Sequence, residues 1–161
     1  QTSDSTVGTV VEVYRRMGKV PALVQKEVLG FVGIRLQFAM FREALSLVQK
    51  GVISAPALDE VVRNSFGRRL PAVGLFARRT LLSQHLASRS GNEVMPTLDN
   101  FTEVPPVLAE KVRRGELGTK TGKGFYEWTP ESAEALRLRV GRALVEMAKW
   151  DAQDSGVRGG Q

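Results

Sequence analysis

The sequence contains no cysteine and only one histidine, His85. Without thiols there is no disulfide, no thiolate metal ligand and no cysteine nucleophile. The absence also fits a reducing compartment, and we expect a cytoplasmic protein. One histidine with no cysteine and no acidic cluster supplies too few ligands for an ion, so no metal site is expected. As a general base His85 would need an orienting partner. Its neighbours Ser83 and Gln84 offer no carboxylate, and we expect a polar residue on an exposed helix face.

Long apolar runs are missing as well. None approaches the roughly 18 residues of a membrane-spanning helix. The opening segment QTSDSTVGTVVEVYRRMGK is polar and amphipathic rather than signal-like. The first residue is not Met, so we expect the sequence to start partway through a longer polypeptide. Acidic residues are outnumbered, 17 against 23 Lys and Arg, which leaves a net charge of +6. That balance favours polyanions: nucleic acid, an acidic membrane surface, or a phosphate-rich ligand such as coenzyme A. It is equally met by a solvated basic surface. At 42% hydrophobic and 25% charged residues, the composition is that of a globular chain with a real core.

What remains reads mostly as helix. Val7, Val10, Val11 and Tyr14 recur at helical spacing after the caps Ser3 and Asp4, and Gly18 closes that segment. VPALVQKE then alternates and is rich in Val and Leu, which predicts a short strand over 20–26. One strand cannot satisfy its own backbone donors. Residues 1–27 are therefore expected to belong to a sheet lying mostly outside this sequence.

From Val32 to Lys50 the pattern is apolar around most of a helix. Leu36, Ala39, Met40, Ala44, Leu47 and Val48 form the stripe, widened by Phe38, Phe41 and Leu45. Such a helix is expected to be buried on several sides and to sit at the domain centre or a subunit interface. Gly51 ends it. Further helices are predicted over 54–64, over 77–90 with Leu81, Leu82 and Leu86 buried, and over 106–114. A last helix is predicted from Thr129 to about Trp150, with a frayed tail.

Several motifs are weak on inspection. Gly118-Thr119-Lys120-Thr121-Gly122-Lys123-Gly124 misses the Walker spacing, because Lys123 is followed by Gly124 and no strand leads in. No GxGxxG unit opens a strand–helix pair. The helix pair at 54–74 lacks base-reading side chains clustered on one face, so nucleic-acid binding is not expected. Arg68-Arg69 and Arg113-Arg114 read as solvated or paired with carboxylates.

Three segments carry a family resemblance. They are GFVGIRLQFAMFREALSLVQKGVISAPALDEVVRNSFGRR over 30–69, the stretch from Glu93 to Lys111 with MPTLDN and VPPVLAEK, and GELGTKTGKGFYEW over 115–128. In order and spacing the chain resembles the C-terminal part of the NAD-dependent L-3-hydroxyacyl-CoA dehydrogenase family. The resemblance implies a mainly α fold: a helical bundle like the C-terminal domain of 6-phosphogluconate dehydrogenase, preceded by a helix–strand remnant of a Rossmann domain. It divides the chain into a remnant at 1–27, a helical substrate and dimerisation domain at 28–129, and an amphipathic helix with tail at 130–161. It also implies contact with acyl-CoA, a homodimer, and oxidation of 3-hydroxyacyl-CoA in fatty-acid or butanoate metabolism. NAD is the cofactor of the parent family; its fingerprint and the acid–base histidine would lie upstream, and the isolated chain is expected neither to bind NAD nor to be active.

Carried over residue by residue, the resemblance makes Ile34, Arg35 and Phe76 substrate-side positions and Phe38, Phe41 and Leu45 dimer-interface positions. The family's asparagine at the start of the long helix falls on Ile34, which can neither donate nor accept. Leu29 replaces a usual Pro, and Gly74-Leu75-Phe76-Ala77 replaces GPFE. ARRTLLSQHLASRS over 77–90 departs from the family as a block without a change of length, and compensating frame shifts in the gene would produce that pattern. Two other functions fit a chain altered in this way. One is a non-catalytic dimerisation module. The other is part of a relative acting on another hydroxy acid, such as a sugar acid or carnitine-like compound.

Overall fold

A computed structural model describes residues 2–81 and 84–158, with side chains described except at 79–81, 84, 86–87 and 151–158. Residues close in space cluster into two units, Gln1–Ala39 and Met40–Gln161. The division falls inside one continuous helix.

In the first unit, α1 spans Asp4–Arg16. Ser3 caps it, its Oγ accepting from Thr6 N at 3.2 Å. Asp4 stands in the first turn and Arg15 and Arg16 in the last, each at the end that its charge favours. Residues 19–24 carry no regular structure, so the strand predicted over 20–26 is not formed. The reason is the one the sequence itself raises: a strand exists by its ladder, and no neighbouring strand lies among the described residues. The helix half of the expected helix–strand remnant is present; the strand half has no sheet to join.

Gly30 and Phe31 both take left-handed backbone angles, φ 83° and 53°. For Phe31 that conformation costs about 1–2 kcal/mol. It turns the chain so that Phe31 O accepts the first helical bond from Arg35 N, at 3.1 Å. Helix α2, Val32–Gln49, follows.

The expectation that α2 is buried on several sides is not met. Leu45 and Ser46 are its buried residues, 5% and 2% exposed, while every position from Phe31 to Phe41 is exposed. An all-round apolar helix needs neighbours on all sides, and the described residues supply them only along the C-terminal turns.

In the second unit, Gly51 (φ 70°) lets Val52 N reach back to Leu47 O at 3.0 Å and close α2. Helix α3, Ala55–Asn64, is capped by Ser54 and carries Pro56 in its first turn. A 3-10 turn at Phe66–Arg69 packs back on it. Gly67 is required there, because a Cβ would stand 2.6 Å from Val62 O. Helix is found over the expected range 77–90 as α4, Leu75–Leu81, and α5, Gln84–Val94, with residues 82 and 83 outside the described residues. The side chains of Leu81, Leu82 and Leu86, expected in the core, lie outside the described residues.

A 3-10 turn at Met95–Thr97 leads to α6, Pro106–Arg113. Residues 115–128 form a glycine-rich loop with isolated bridges between Gly118 and Lys123 and between Lys123 and Glu127. The extended segment expected at 125–128 is reduced to the second bridge. Helix α7 runs from Pro130 to Arg158, past the expected end at Trp150 and through most of the expected tail. Its first turn buries Ala133, 7% exposed. Among the described residues no helix is long and apolar enough to cross a membrane.

Candidate functional site

The six residues singled out from sequence divide between the two units. Ile34, Arg35 and Phe38 stand on the first half of α2, and Phe41, Leu45 and Phe76 belong to the second unit. Ile34 is 45% exposed in the first turn of α2. Arg35 turns back to its own entry loop, Nη1 donating to Leu29 O at 3.4 Å. Phe76 is exposed in the first turn of α4. Phe38 is 66% exposed and Phe41 is exposed too, but Leu45 points into this chain's own core.

The second half of α2 does something the sequence reading missed. Glu43, Ser46, Gln49 and Lys50 hold the connection from 98 to 107 against the helix. Ser46 Oγ donates to Asp99 Oδ2 at 2.8 Å, and Lys50 Nζ reaches the same oxygen at 3.1 Å. Glu43 Oε2 accepts from Asp99 N at 2.8 Å, and Gln49 Oε1 accepts from Val107 N at 3.2 Å. The Ser46 bond, then Lys50 and the Phe101 N–H, hold the Asp99 carboxyl well below the usual range, at about 2. The one available signal was a polar spacing of three and four inside an otherwise apolar helix.

The glycine loop is organised by Lys111 of α6. Its Nζ donates to Glu116 Oε2 at 2.9 Å and to Gly124 O at 2.8 Å, and lies 5.1 Å from the centre of the Phe125 ring. Lys111 and, less strongly, Lys123 hold the Glu116 carboxyl below its ordinary value against the opposing effect of burial. The loop is thus a structural turn fastened by side chains, as its failure to match the Walker spacing implies.

Tyr126 then bridges to α3, its hydroxyl 2.5 Å from Asp59 Oδ2. Burial first, and the Asp59 carboxylate next, push the phenol up to about 12. Two hollows flank this bond. One is apolar, about 160 Å³, lined by Phe41, Leu45, Val48, Leu58 and Phe125 among others. The second, about 850 Å³, is a wide groove between α3 and α7 floored by Tyr126 and Trp128.

No group of three or more His, Cys, Asp or Glu among the described residues is placed to hold a metal. His85 is exposed on α5. The described residues form no strand running through a glycine turn into a helix, the cradle a dinucleotide pyrophosphate needs. They do not fit NAD, and we derive no hydride step through it. Arg35 and Ile34 could touch a substrate; neither can take a hydroxyl proton at neutral pH.

Comparison with known proteins gives a consistent result. Residues 30–128 match the family described as 3-hydroxyacyl-CoA dehydrogenase, C-terminal domain. The 5-formyl-3-hydroxy-2-methylpyridine 4-carboxylate 5-dehydrogenase of Mesorhizobium japonicum is 32% identical over 149 residues, 92% of this chain and 48% of the relative. A 3-hydroxyacyl-CoA dehydrogenase of Gibberella moniliformis is 33% identical over 150 residues, 93% of this chain and 42% of the relative. A crystal structure of a 5-formyl-3-hydroxy-2-methylpyridine 4-carboxylic acid 5-dehydrogenase, described as an NAD+ dependent dismutase, superposes with a TM-score of 0.86 at 30% identity. It matches 96% of this chain and 49% of its own. The chain thus spans about half the length of these relatives.

Proposed function

Because the chain belongs to the 3-hydroxyacyl-CoA dehydrogenase family and corresponds to its C-terminal domain, we propose that it is the acyl-CoA-contacting and dimerising half of an NAD-dependent dehydrogenase acting in the cytoplasm. The observation that carries this is the family match over residues 30–128. Two features of the structure support a partner. The first half of α2 leaves its large apolar side chains exposed. Arg42 Nε is buried with no hydrogen bond among the described groups, and a buried donor without an acceptor costs about 1–3 kcal/mol. A second polypeptide surface covering α2 would answer both.

Oxidation of a secondary alcohol needs a base for the hydroxyl proton and an acceptor for the hydride. Among the described residues no base is oriented for that proton and no dinucleotide cradle is formed, so the isolated polypeptide is expected to bind without catalysing. The test has two parts. Purified chain mixed with NAD and 3-hydroxybutyryl-CoA is expected to give no NADH absorbance, and NADH formation would overturn the assignment of an incomplete enzyme. Calorimetry with 3-hydroxybutyryl-CoA is expected to show heat of binding, and silence would overturn the acyl-CoA role.

A second reading has a specific observation behind it. The Mesorhizobium relative is named for a pyridine carboxylate rather than an acyl-CoA. A substrate of that hydroxy-acid class is favoured if a pyridine carboxylate gives heat where the thioester gives none. Heat from neither, with a dimer in light scattering, would favour the non-catalytic module.

A further inference from the structure

The groove between α3 and α7 has a composition that the dehydrogenase reading does not use. Its floor is aromatic: the Tyr126 and Trp128 rings stand 5.8 Å apart, inclined by 56°. Its acidic residues are already committed. Asp59 accepts the Tyr126 hydroxyl at 2.5 Å. Glu60 is taken by Arg63 and by Asn64 Nδ2.

Its α7 wall carries Arg139 and Arg142, three apart and so neighbours on one helix face. Neither has a carboxylate within 4 Å among the described residues, whereas Arg137, off the groove on the same helix, is paired with Glu134 at 3.2 Å. Arg142 makes a 3.4 Å bond from Nε to Leu138 O, and its terminal nitrogens have no hydrogen bond among the described residues. With the guanidiniums of Arg63, Arg139 and Arg142 set against the carboxylates of Asp59 and Glu60, the groove carries a net positive charge above an aromatic floor. It has a volume of about 850 Å³, within the range of small-molecule sites.

We propose that this groove binds a nucleoside phosphate. The base stacks on Trp128, and the phosphate takes bidentate bonds from Arg139 and Arg142. Planar guanidinium forks match phosphate oxygens, and indole faces accept any base. This inference does not depend on the acyl-CoA role. The nucleotide comes either as a free ligand or as the phosphoadenosine end of coenzyme A, and the test separates the two.

The chain carrying Trp150→Phe leaves Trp128 as the single fluorescent reporter. Titration with AMP is expected to quench it saturably, with adenosine and inorganic phosphate each binding at least tenfold more weakly. The added pair R139A and R142A is expected to weaken AMP at least tenfold while helical circular dichroism stays unchanged. Competition by coenzyme A at comparable concentration assigns the site to its nucleotide end, and absence of competition assigns it to a free nucleotide. Three results would overturn the proposal: no saturable quenching up to ~10 mM AMP, weaker than any useful site; phosphate alone matching AMP; or unchanged affinity in the double-arginine variant. Should that variant lose helicity, Arg139→Lys and Arg142→Lys together replace it. The forks are then lost with the charge kept, and tenfold weaker binding is again expected.

Discussion

Asp99 shows how much of this domain rests on single polar groups. Its carboxylate ties the connection after α5 to the far half of α2 through Ser46 and Lys50. Because its folded value is lowered to about 2 from 3.8, its contribution is fully present above the unfolded value. It is lost as the pH falls from about 3.8 towards 2. Ser46→Ala removes the largest cause of that shift and one half-buried hydrogen bond. Thermal unfolding at neutral pH is expected to show a loss of about 1 kcal/mol, and the decline of stability below about pH 3.8 to become shallower. Beyond the polar spacing on α2 none of this was visible in the sequence, since Asp99 lies about fifty residues from Ser46 and nothing local pairs them. Ile34, in contrast, was legible as a departure from the family asparagine. Fusing this chain to the NAD-binding half of the Mesorhizobium relative would test it. Ile34→Asn in that chimera is expected to raise the rate at least tenfold, the scale of one orienting polar group; an unchanged rate in steady-state assays would show that the position is not substrate-side.

Elements with strong local signals were read correctly and those needing partners were not. The caps Ser3 and Ser54 and the terminators Gly18 and Gly51 fix α1, α2 and α3 from within a few residues. The strand at 20–26 failed because alternation describes a face, while a ladder needs a second strand. The exposure of α2 was unreadable for a similar reason: periodicity shows that a surface is apolar, not that this chain covers it. The glycine loop was legible as a turn, but not its fastening to α3 through Tyr126. That phenol is raised to about 12, so folding holds its proton between about pH 10 and 12 while the unfolded chain releases it. Stability therefore falls with rising pH across that window. Tyr126→Phe is expected to cost about 1 kcal/mol at neutral pH and to flatten this alkaline decline. Denaturant titrations at pH 8 and 11 would measure both.

On the scale of the whole chain, the described interior is thin. Leu45, Pro105 and Ala133 are its buried apolar residues, while Phe38, Leu138, Leu144 and Val145 are among many large ones left exposed. If a partner covers these side chains, as proposed, association stabilises the folded chain at the expense of the unfolded one. The melting temperature is expected to rise with protein concentration, and a midpoint constant over a hundredfold dilution in scanning calorimetry would contradict this.

Helix α7 shows the same dependence in geometry. Twenty-nine residues at 1.5 Å each extend about 44 Å, yet among the side chains described on it, over 130–150, Ala133 in the first turn is the one that is buried. It is a cantilever, clamped at its root. Opening should be easiest at the free end and hardest beside the clamp. Its amides would trade hydrogen for solvent deuterium in a gradient along the rod, slowest near Ala133.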